Sequence, residues 1–240
     1  MNRILFEKDE IRDGMATFAD VRAEHVLGVL HGEVGQTLKT GELDGPIGTS
    51  EIVAIEGGAV TVAVSHDSEA LEPWVDLVLA PPRPRVLKRL LPQLAAIGVG
   101  RIVLVGAKKV EKDFWGATLL KAENYRPLLV DGLMQAGTSA VPVIETRRNF
   151  RRFVRDELDA MFPSRRRLVA HPAAASGCGQ AADDASREGR LLLAIGPEGG
   201  WTDEEVALLE SQGFARYSLG GRILRTDTAT IALLARLSED

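Results

Sequence analysis

Short apolar runs separated by turn-forming residues are the main pattern of the N-terminal part of the chain. The clearest strand is AVTVAVS (59–65), and similar shorter runs precede it from RILF (3–6) onward. The exception is AEHVLGVLH (23–31), whose apolar spacing fits a short helix with Asp20 as a possible N-cap. Several short strands with turns between them are most economically arranged as a small barrel or curled sheet. We therefore predict a small β domain over residues 1–72, and we find no catalytic group of residues within it.

The pattern then changes to buried strands that alternate with amphipathic helices. DLVLA (76–80) and RIVLVGA (101–107) are runs of strand length that contain no polar residue after their first position, and a helical pattern lies between them. Its apolar face comprises Leu87, Leu90, Leu91, Leu94 and Ile97. Pro92 lies inside this pattern and should either bend the helix or mark its true start. A strand, a helix and a second strand in succession predict a parallel sheet.

The same alternation continues to the C-terminus. Further strands are predicted at 141–145, 167–172, 190–196 and 216–219, and further helices at 116–137, 149–161, 203–212 and 227–237. Residues 173–189 are mostly small and polar, which predicts a connection without regular structure. Residues 73–240 are therefore predicted to form one open α/β domain behind the smaller β domain.

Two glycine-rich turns follow two of the C-terminal strands. The first is IGPEGGW (195–201) and the second is LGGRILRTDTA (219–229). Glycine lacks a Cβ atom, so clustered glycines expose backbone N–H and C=O groups to a flat or anionic ligand. Ligands of open α/β sheets bind at the carboxyl ends of strands, and a third strand end carries His171 and Pro172. The motifs are neither a dinucleotide-binding fingerprint nor a phosphate loop, so the residues alone predict a binding floor for an unspecified ligand.

The composition is that of a soluble globular protein. The chain has 240 residues, 45% of them hydrophobic, and it begins with charged residues rather than with the apolar stretch of a signal peptide. It contains no apolar run long enough to span a membrane, so we predict a cytoplasmic protein. The single cysteine, Cys178, excludes an internal disulfide, and the four histidines show no metal-ligand spacing, so we predict no metal site.

Charge is distributed unevenly along the chain. The net charge is −5 overall, but residues 1–82 carry −10 and the remainder carries +5. Basic residues concentrate in two segments, 83–112 and 147–167. Such runs are typical of phosphate contacts, although an arginine-rich helix face exposed to solvent would have the same composition.

The two glycine motifs behind a small β domain resemble the RsmE family of bacterial 16S ribosomal RNA methyltransferases, and the match covers essentially the whole chain. The resemblance implies a SPOUT fold, in which a parallel sheet ends in a deep trefoil knot, preceded by a PUA-like β-barrel that binds RNA. The residues alone would not predict a knot, because chains rarely thread through loops. The resemblance also implies a homodimer that methylates N3 of one uridine in small-subunit rRNA, free or within the ribosomal subunit, using S-adenosylmethionine (SAM).

The same resemblance assigns roles to individual residues. The SAM pocket would combine the two glycine turns with the third strand end, and Ile223 and Leu224 would cover the faces of adenine. The implied cofactor-binding residues are His171, Pro172, Ile195, Gly196, Pro197, Glu198, Gly199, Gly200, Leu219, Gly220, Ile223, Leu224 and Arg225. The expected RNA-binding residues are Arg83, Arg85, Lys88, Arg148, Arg151, Arg152 and Arg155.

Methylation of uracil N3 requires removal of its proton, so the site needs a base or a group that stabilises the uracil anion. Glu198 is predicted to accept the proton or to orient its loop, although its carboxylate could instead cap neighbouring N–H groups. Arg222 or Arg225 is predicted to lie near the developing negative charge. Arg225 could instead hold a helix end or contact the dimer partner.

Three positions depart from the charged residues that are usual in this family, namely Met134, Thr138 and Ala140, in a segment expected near the active site or RNA. Two alternative functions also remain open at this point. A SPOUT enzyme could act on another nucleotide or on a ribose hydroxyl, or the chain could be a non-catalytic RNA-binding or assembly factor. SAM binding separates the second alternative from the enzymes.

Overall fold

The contacts within the chain divide it into two compact units. The computed structural model describes residues 2–163, 166–172 and 189–238, so Cys178 and most of the predicted connection lie outside the described residues. One unit comprises Met1–Glu72 and Pro127–Val141, and the other comprises Pro73–Arg126 and Pro142–Asp240. The first unit thus includes a segment, 127–141, that lies outside the predicted range of 1–72.

The first unit is built on a curled six-stranded sheet. Its strands are β1 (Ile4–Phe6), β2 (Ile11–Arg12), β3 (Met15–Phe18), β4 (Thr37–Glu42), β5 (Ile47–Glu56) and β6 (Ala59–Ser68). Their order is β1-β4-β5-β6-β3-β2, and all neighbours are antiparallel except β1 and β4. Val60 and Val62 of the predicted strand are fully buried. The predicted helix is α1 (Val21–Gly28), and Asp20 caps it by accepting a hydrogen bond from Arg22 N at 2.9 Å.

Residues 127–141 belong to the first unit because their backbone is bonded to it. Asn2 N and Arg3 N both donate to Met134 O at 3.0 Å, and Asp44 N donates to Ser139 O at 2.9 Å. Thr138, one of the departures from the family pattern, is only 7% exposed. Its side chain is therefore part of the packing of this unit rather than of its surface.

Arg22 joins two carboxylates to the core of the first unit. Its guanidinium lies 5.5 Å from the centre of the Phe6 ring and binds Glu10 at 2.5 Å and Asp20 at 2.7 Å. Hydrogen bonds from Arg22 hold the pKa of the Glu10 and Asp20 carboxyls below their usual range. The carboxylate forms are therefore favoured in the folded state.

Acidification should destabilise the first unit through this cluster. A carboxyl with a lowered folded pKa stabilises the fold above its unfolded pKa of about 4, and that contribution disappears as pH falls through the folded value. We expect Arg22→Met to reduce this pH dependence and to remove about 2 kcal/mol of unfolding free energy at neutral pH. Urea unfolding followed through NMR signals of β6 measures both effects. Arg12→Met is the matched control, because among the described residues the Arg12 side chain donates only to the Asp9 carbonyl, at 3.4 Å. An equal loss in both variants would contradict the assignment.

The second unit is built on a six-stranded parallel sheet. Its strands are β7 (Val75–Leu79), β8 (Val99–Val105), β9 (Val143–Arg147), β10 (Arg166–Ala170), β11 (Leu191–Ile195) and β12 (Ala215–Tyr217). Their order is β12-β10-β11-β7-β8-β9, and every neighbouring pair is parallel. Every residue of β7 and β11 is buried, which explains why their sequences are apolar except at Asp76. The predicted parallel sheet is confirmed, and the trefoil knot stays a prediction.

Helices connect these strands. They are α2 (Pro84–Ile97), α3 (Ala122–Ala136), α4 (Phe150–Arg152), α5 (Leu158–Met161), α6 (Asp203–Ser211) and α7 (Thr226–Ser238), with a π-helical turn (Phe153–Glu157) joining α4 to α5. Because α2 begins at Pro84 and runs through Pro92, the prediction that Pro92 could mark its start is wrong. Pro84 takes that role, since its fixed φ suits the first helical position. No helix in the described part of the chain is long and apolar enough to cross a membrane.

Candidate functional site

A cavity of about 440 Å³ lies at the carboxyl ends of β10, β11 and β12. The segments that follow these three strands form its floor and walls, as expected for a ligand site of an open α/β sheet. The helix α7 contributes a further wall with Thr226, Ala229 and Leu233. The three strand ends singled out in the sequence therefore meet in one place.

The first glycine turn is held in a fixed conformation. Gly200, at φ +71°, donates its N–H to Pro197 O at 2.7 Å, which closes the turn. The Lys109 ammonium donates to Gly199 O at 2.7 Å, so the loop after β8 holds this turn from outside. Gly196 is closely packed, since a Cβ there would lie 3.1 Å from the Trp201 ring and would require that ring to shift. The backbone of this turn is thus fixed before any ligand arrives.

A capping box formed by Thr202 and Glu205 begins α6. The Thr202 hydroxyl accepts a hydrogen bond from Glu205 N at 3.3 Å, and the Glu205 carboxylate accepts one from Thr202 N at 2.9 Å. The other Glu205 oxygen accepts from Lys108 N at 2.7 Å. Glu205 therefore joins the first turn to the loop that follows β8.

Ser218 organises the second glycine turn. Its hydroxyl accepts a hydrogen bond from Gly220 N at 3.1 Å and donates to Pro172 O at 3.2 Å, which links this turn to the end of β10. His171 N donates to Tyr217 O at 3.0 Å beside it. Gly220 has φ +105°, a backbone conformation that residues with a Cβ rarely adopt. A glycine is required at this position by its backbone.

Two solvent-exposed apolar side chains line the cavity. Ile223 is 91% exposed and Leu224 is 37% exposed, and both line the cavity. A large aliphatic side chain this exposed at the mouth of a pocket gains free energy when a ligand covers it. These two residues are therefore suited to the flat face of a bound molecule.

The charged residues of the site are exposed at its edge. Glu198 lines the cavity and faces Arg83, with 3.5 Å between the carboxylate and Arg83 Nε. No backbone N–H group in the described part of the chain bonds the Glu198 carboxylate. Arg222 lines the cavity, whereas Arg225 does not. At the start of α7, Asp227 faces Arg89 at 3.6 Å.

All residues predicted to bind the cofactor line this cavity except Arg225. The sequence interpretation did not assign several further lining residues to the site, namely Ala170, Trp201, Tyr217, Ser218, Thr226, Ala229 and Leu233. For some of these residues, their position in the sequence would have indicated that they line the cavity. The last three recur at helical intervals on one face of α7, and Tyr217 and Ser218 directly precede the second turn.

The residues predicted to bind RNA lie at different places on the second unit. All of them are exposed. Arg83 lies beside Glu198 at the cavity, Arg148 and Arg151 flank the start of α4, and the others lie on the surfaces of α2 and of the helical segment from α4 to α5. In the described part of the chain, no three His, Cys, Asp or Glu side chains cluster as metal ligands would.

Comparison with known proteins identifies the family. Residues 69–238 match the model of the RNA methyltransferase domain. A Treponema pallidum protein named ribosomal RNA small subunit methyltransferase E is 33% identical to the chain, over 98% of this chain and 90% of that protein. The chain belongs to this methyltransferase E family. A second relative in the family, methyltransferase E 1 of Borreliella burgdorferi, is 25% identical over 97% of this chain and 95% of its own length.

Solved structures of similar proteins have the same fold. A methyltransferase E from Neisseria gonorrhoeae, described as bound to S-adenosyl methionine, superposes with a TM-score of 0.77 at 21% identity and covers 100% of this chain and 97% of its own. A putative methyltransferase from Legionella pneumophila, described as in complex with SAM, has a TM-score of 0.75 at 24% identity over 99% and 97% of the two chains. The α/β class with a separate N-terminal β unit is thus confirmed at the level of the whole chain.

Proposed function

We propose that this protein is a SAM-dependent methyltransferase that methylates N3 of one uridine in small-subunit rRNA. The observation that carries the proposal is the cavity in which the two glycine turns meet beneath Ile223, whose side chain is 91% exposed. Family membership supports the reaction class, and the relatives of known structure described with SAM support the cofactor.

The residues of the cavity fit SAM. Adenine needs a thin slot with apolar faces and a few polar groups at its edge, and the glycine turns present backbone N–H and C=O groups beside exposed aliphatic side chains. The residues that would hold it are Ile195, Gly196, Gly199 and Gly200 of the first turn, Leu219, Gly220, Ile223 and Leu224 of the second, and His171 and Pro172. When bound, SAM supplies an electrophilic methyl group on its sulfonium sulfur.

The chain itself must prepare the nucleophile. Glu198 lines the cavity with an exposed carboxylate, and this carboxylate would accept the N3 proton of uracil. Arg222 lines the same cavity and would stabilise the negative charge that spreads to the uracil carbonyl oxygens. Arg83, at 3.5 Å from Glu198, would hold that carboxylate toward the reacting base. Fixed turns on both sides would align donor and acceptor, which is the main requirement of methyl transfer.

The proposed partners follow from the substrate. Exposed cations of the second unit, Arg85, Lys88, Arg152 and Arg155 among them, would contact rRNA phosphates in the small subunit. We further propose a cytoplasmic homodimer, as the resemblance to the family implies. No membrane partner is part of this proposal.

Methyl transfer to small ribosomal subunits tests the function directly. The acceptor is a subunit from a strain that lacks this protein, with naked small-subunit rRNA and large subunits as controls. We expect one methyl group per small subunit, located on uridine N3 by mass spectrometry. A methyl group on another atom would shift the proposal to another RNA target. Absence of SAM binding by calorimetry would instead favour a non-catalytic RNA-binding or assembly factor.

Ile223→Ser should weaken SAM binding by roughly 10- to 30-fold, because covering an exposed isoleucine contributes about 1.5–2 kcal/mol. Calorimetric titration with SAM measures the change. Val143→Ser is the matched control, since Val143 is also exposed (49%) but lies at the amino end of β9, away from the strand ends that form the cavity. Equal SAM affinity in wild type and Ile223→Ser would show that this side chain does not cover the ligand.

A further inference from the structure

A second cavity, of about 340 Å³, lies at the carboxyl ends of β8 and β9. Lys108 reaches it from the basic segment 83–112, and Arg148 and Arg151 reach it from the basic segment 147–167. The two segments are far apart in sequence, but β8 and β9 are neighbours in register, with Val105 opposite Arg147. The sheet thus brings cations from both segments to one place.

The backbone of this second cavity is closely packed. Gly106 N donates to Arg147 O at 3.0 Å, and a Cβ on Gly106 would lie 2.0 Å from Arg148 O. Only glycine permits this approach, which fixes Lys108 and Arg148 relative to each other. The loops after β8 and β9 therefore form a rigid base for the cations.

Arg148 is oriented by Trp115. Its Nη2 donates to Trp115 O at 3.3 Å, and its guanidinium lies 5.8 Å from the centre of the Trp115 ring. The side chain has no carboxylate partner in the described part of the chain, and neither has Lys108. Both cations are exposed and can accept an anionic ligand without losing an ion pair.

Two carboxylates also line the cavity, and they differ in availability. Both Glu205 oxygens accept backbone N–H groups, from Lys108 and Thr202. Glu204 binds Arg151 at 2.5 Å, but both side chains are mostly exposed, and such surface pairs contribute little to stability. Glu204 would therefore compete only weakly with a phosphate for Arg151.

The two cavities share a wall. Phe150 lines the second cavity and packs against Trp201, with 5.3 Å between the ring centres and 33° between the ring planes, and Trp201 lines the first cavity. Thr202, the next residue, again lines the second cavity. If an RNA strand placed one base in the first cavity, its sugar-phosphate backbone would run past the second cavity.

We propose that the second cavity binds a backbone phosphate of the RNA strand beside the methylated nucleotide, with Lys108, Arg148 and Arg151 as its ligands. This inference rests on the proposed function, since it assumes an RNA substrate at the first cavity. Of the many basic residues in segments 83–112 and 147–167, only these three are proposed to bind this phosphate. Phosphates are bound by groups of this kind without reading the base sequence.

Charge reversal at the second cavity tests the inference. Lys108→Glu and Arg148→Glu should each raise the Kd for small subunits about tenfold. The negative slope of log association constant against log salt concentration should become less steep by about one in each variant. Glu204→Gln should lower the Kd, because it frees Arg151. SAM affinity, measured by calorimetry, should remain within about twofold of wild type in all three variants. Lys121→Glu is the matched control, as an exposed lysine outside both cavities.

Each outcome is decisive. Subunit affinities of Lys108→Glu and Arg148→Glu equal to that of Lys121→Glu would overturn the phosphate site, and so would a parallel loss of SAM binding, which would make the cavity a support for the first. Failure of the wild-type protein to transfer methyl groups would overturn the proposed function instead. Subunit binding by the wild type, measured without SAM, separates these two failures.

Discussion

Replacement of Gly220 by valine should abolish SAM binding. Gly220 has φ +105°, and its N–H is bonded to Ser218, which also bonds Pro172. A β-branched residue cannot hold this conformation, so the turn must rearrange. Both hydrogen bonds of the Ser218 hydroxyl would then be disrupted. We expect a loss of at least about 100-fold in SAM affinity, equivalent to about 2.7 kcal/mol. Calorimetry with SAM gives the affinity.

Gly221→Val is the control for this prediction. Gly221 is the next residue, is exposed and has open space around its Cβ position, but its φ is outside the left-handed region and it does not line the cavity. The Gly221→Val protein should therefore bind SAM with nearly the affinity of the wild type. Gly220→Ala, with less strain, should lie between the two, at about a tenfold loss. Thermal unfolding identifies any variant that fails to fold, and wild-type affinity in a folded Gly220→Val protein would remove this turn from the site.

Much of the second unit could be predicted from the sequence, because its central strands β7 and β11 are buried on both faces. Runs such as LVLA (77–80) remain apolar at every position only where both faces of a sheet are covered, and β7 is indeed buried throughout, including the charged Asp76. The site could be predicted for a related reason. Glycine clusters directly after two strands have few structural explanations other than close approach of a ligand or a tight turn, and the backbone of Gly220, at φ +105°, shows the tight turn.

The remaining features depend on contacts that no local pattern records. The helix predicted from residue 116 begins at Ala122, after two 3₁₀ turns, and the assignment of 127–141 to the first unit depends on bonds such as Asn2 N to Met134 O. The sequence showed Lys109 only as a member of a basic segment, and it indicated Arg83 only as an RNA-binding residue. Their separate roles, at Gly199 O and at Glu198, depend on the order of strands in the sheet.

Arg222→Ala should bind SAM nearly as wild type does and should lose turnover. Arg222 lines the cavity on the second glycine turn, and it is mostly exposed, so its removal leaves the turn itself intact. Removing one group that stabilises a developing oxyanion lowers kcat by about 100- to 1000-fold. Single-turnover methyl transfer to saturating small subunits measures the chemical step, and calorimetry with SAM confirms that the cofactor site is preserved.

Arg225→Ala decides between the two arginines of the motif. Arg225 lies three residues on, outside the lining of the cavity, where its carbonyl accepts Ala229 N at 2.7 Å in the first turn of α7. If Arg222 supplies the positive charge near uracil, Arg225→Ala should reduce kcat by less than about tenfold. Arg222→Lys should have a higher kcat than Arg222→Ala, because a cation remains at the same place. A larger loss of kcat in Arg225→Ala than in Arg222→Ala, with SAM affinity unchanged in both, would transfer the catalytic role to Arg225. In that case the arginine must reach the substrate from the start of α7, and the cavity wall formed by Arg222 would serve binding alone.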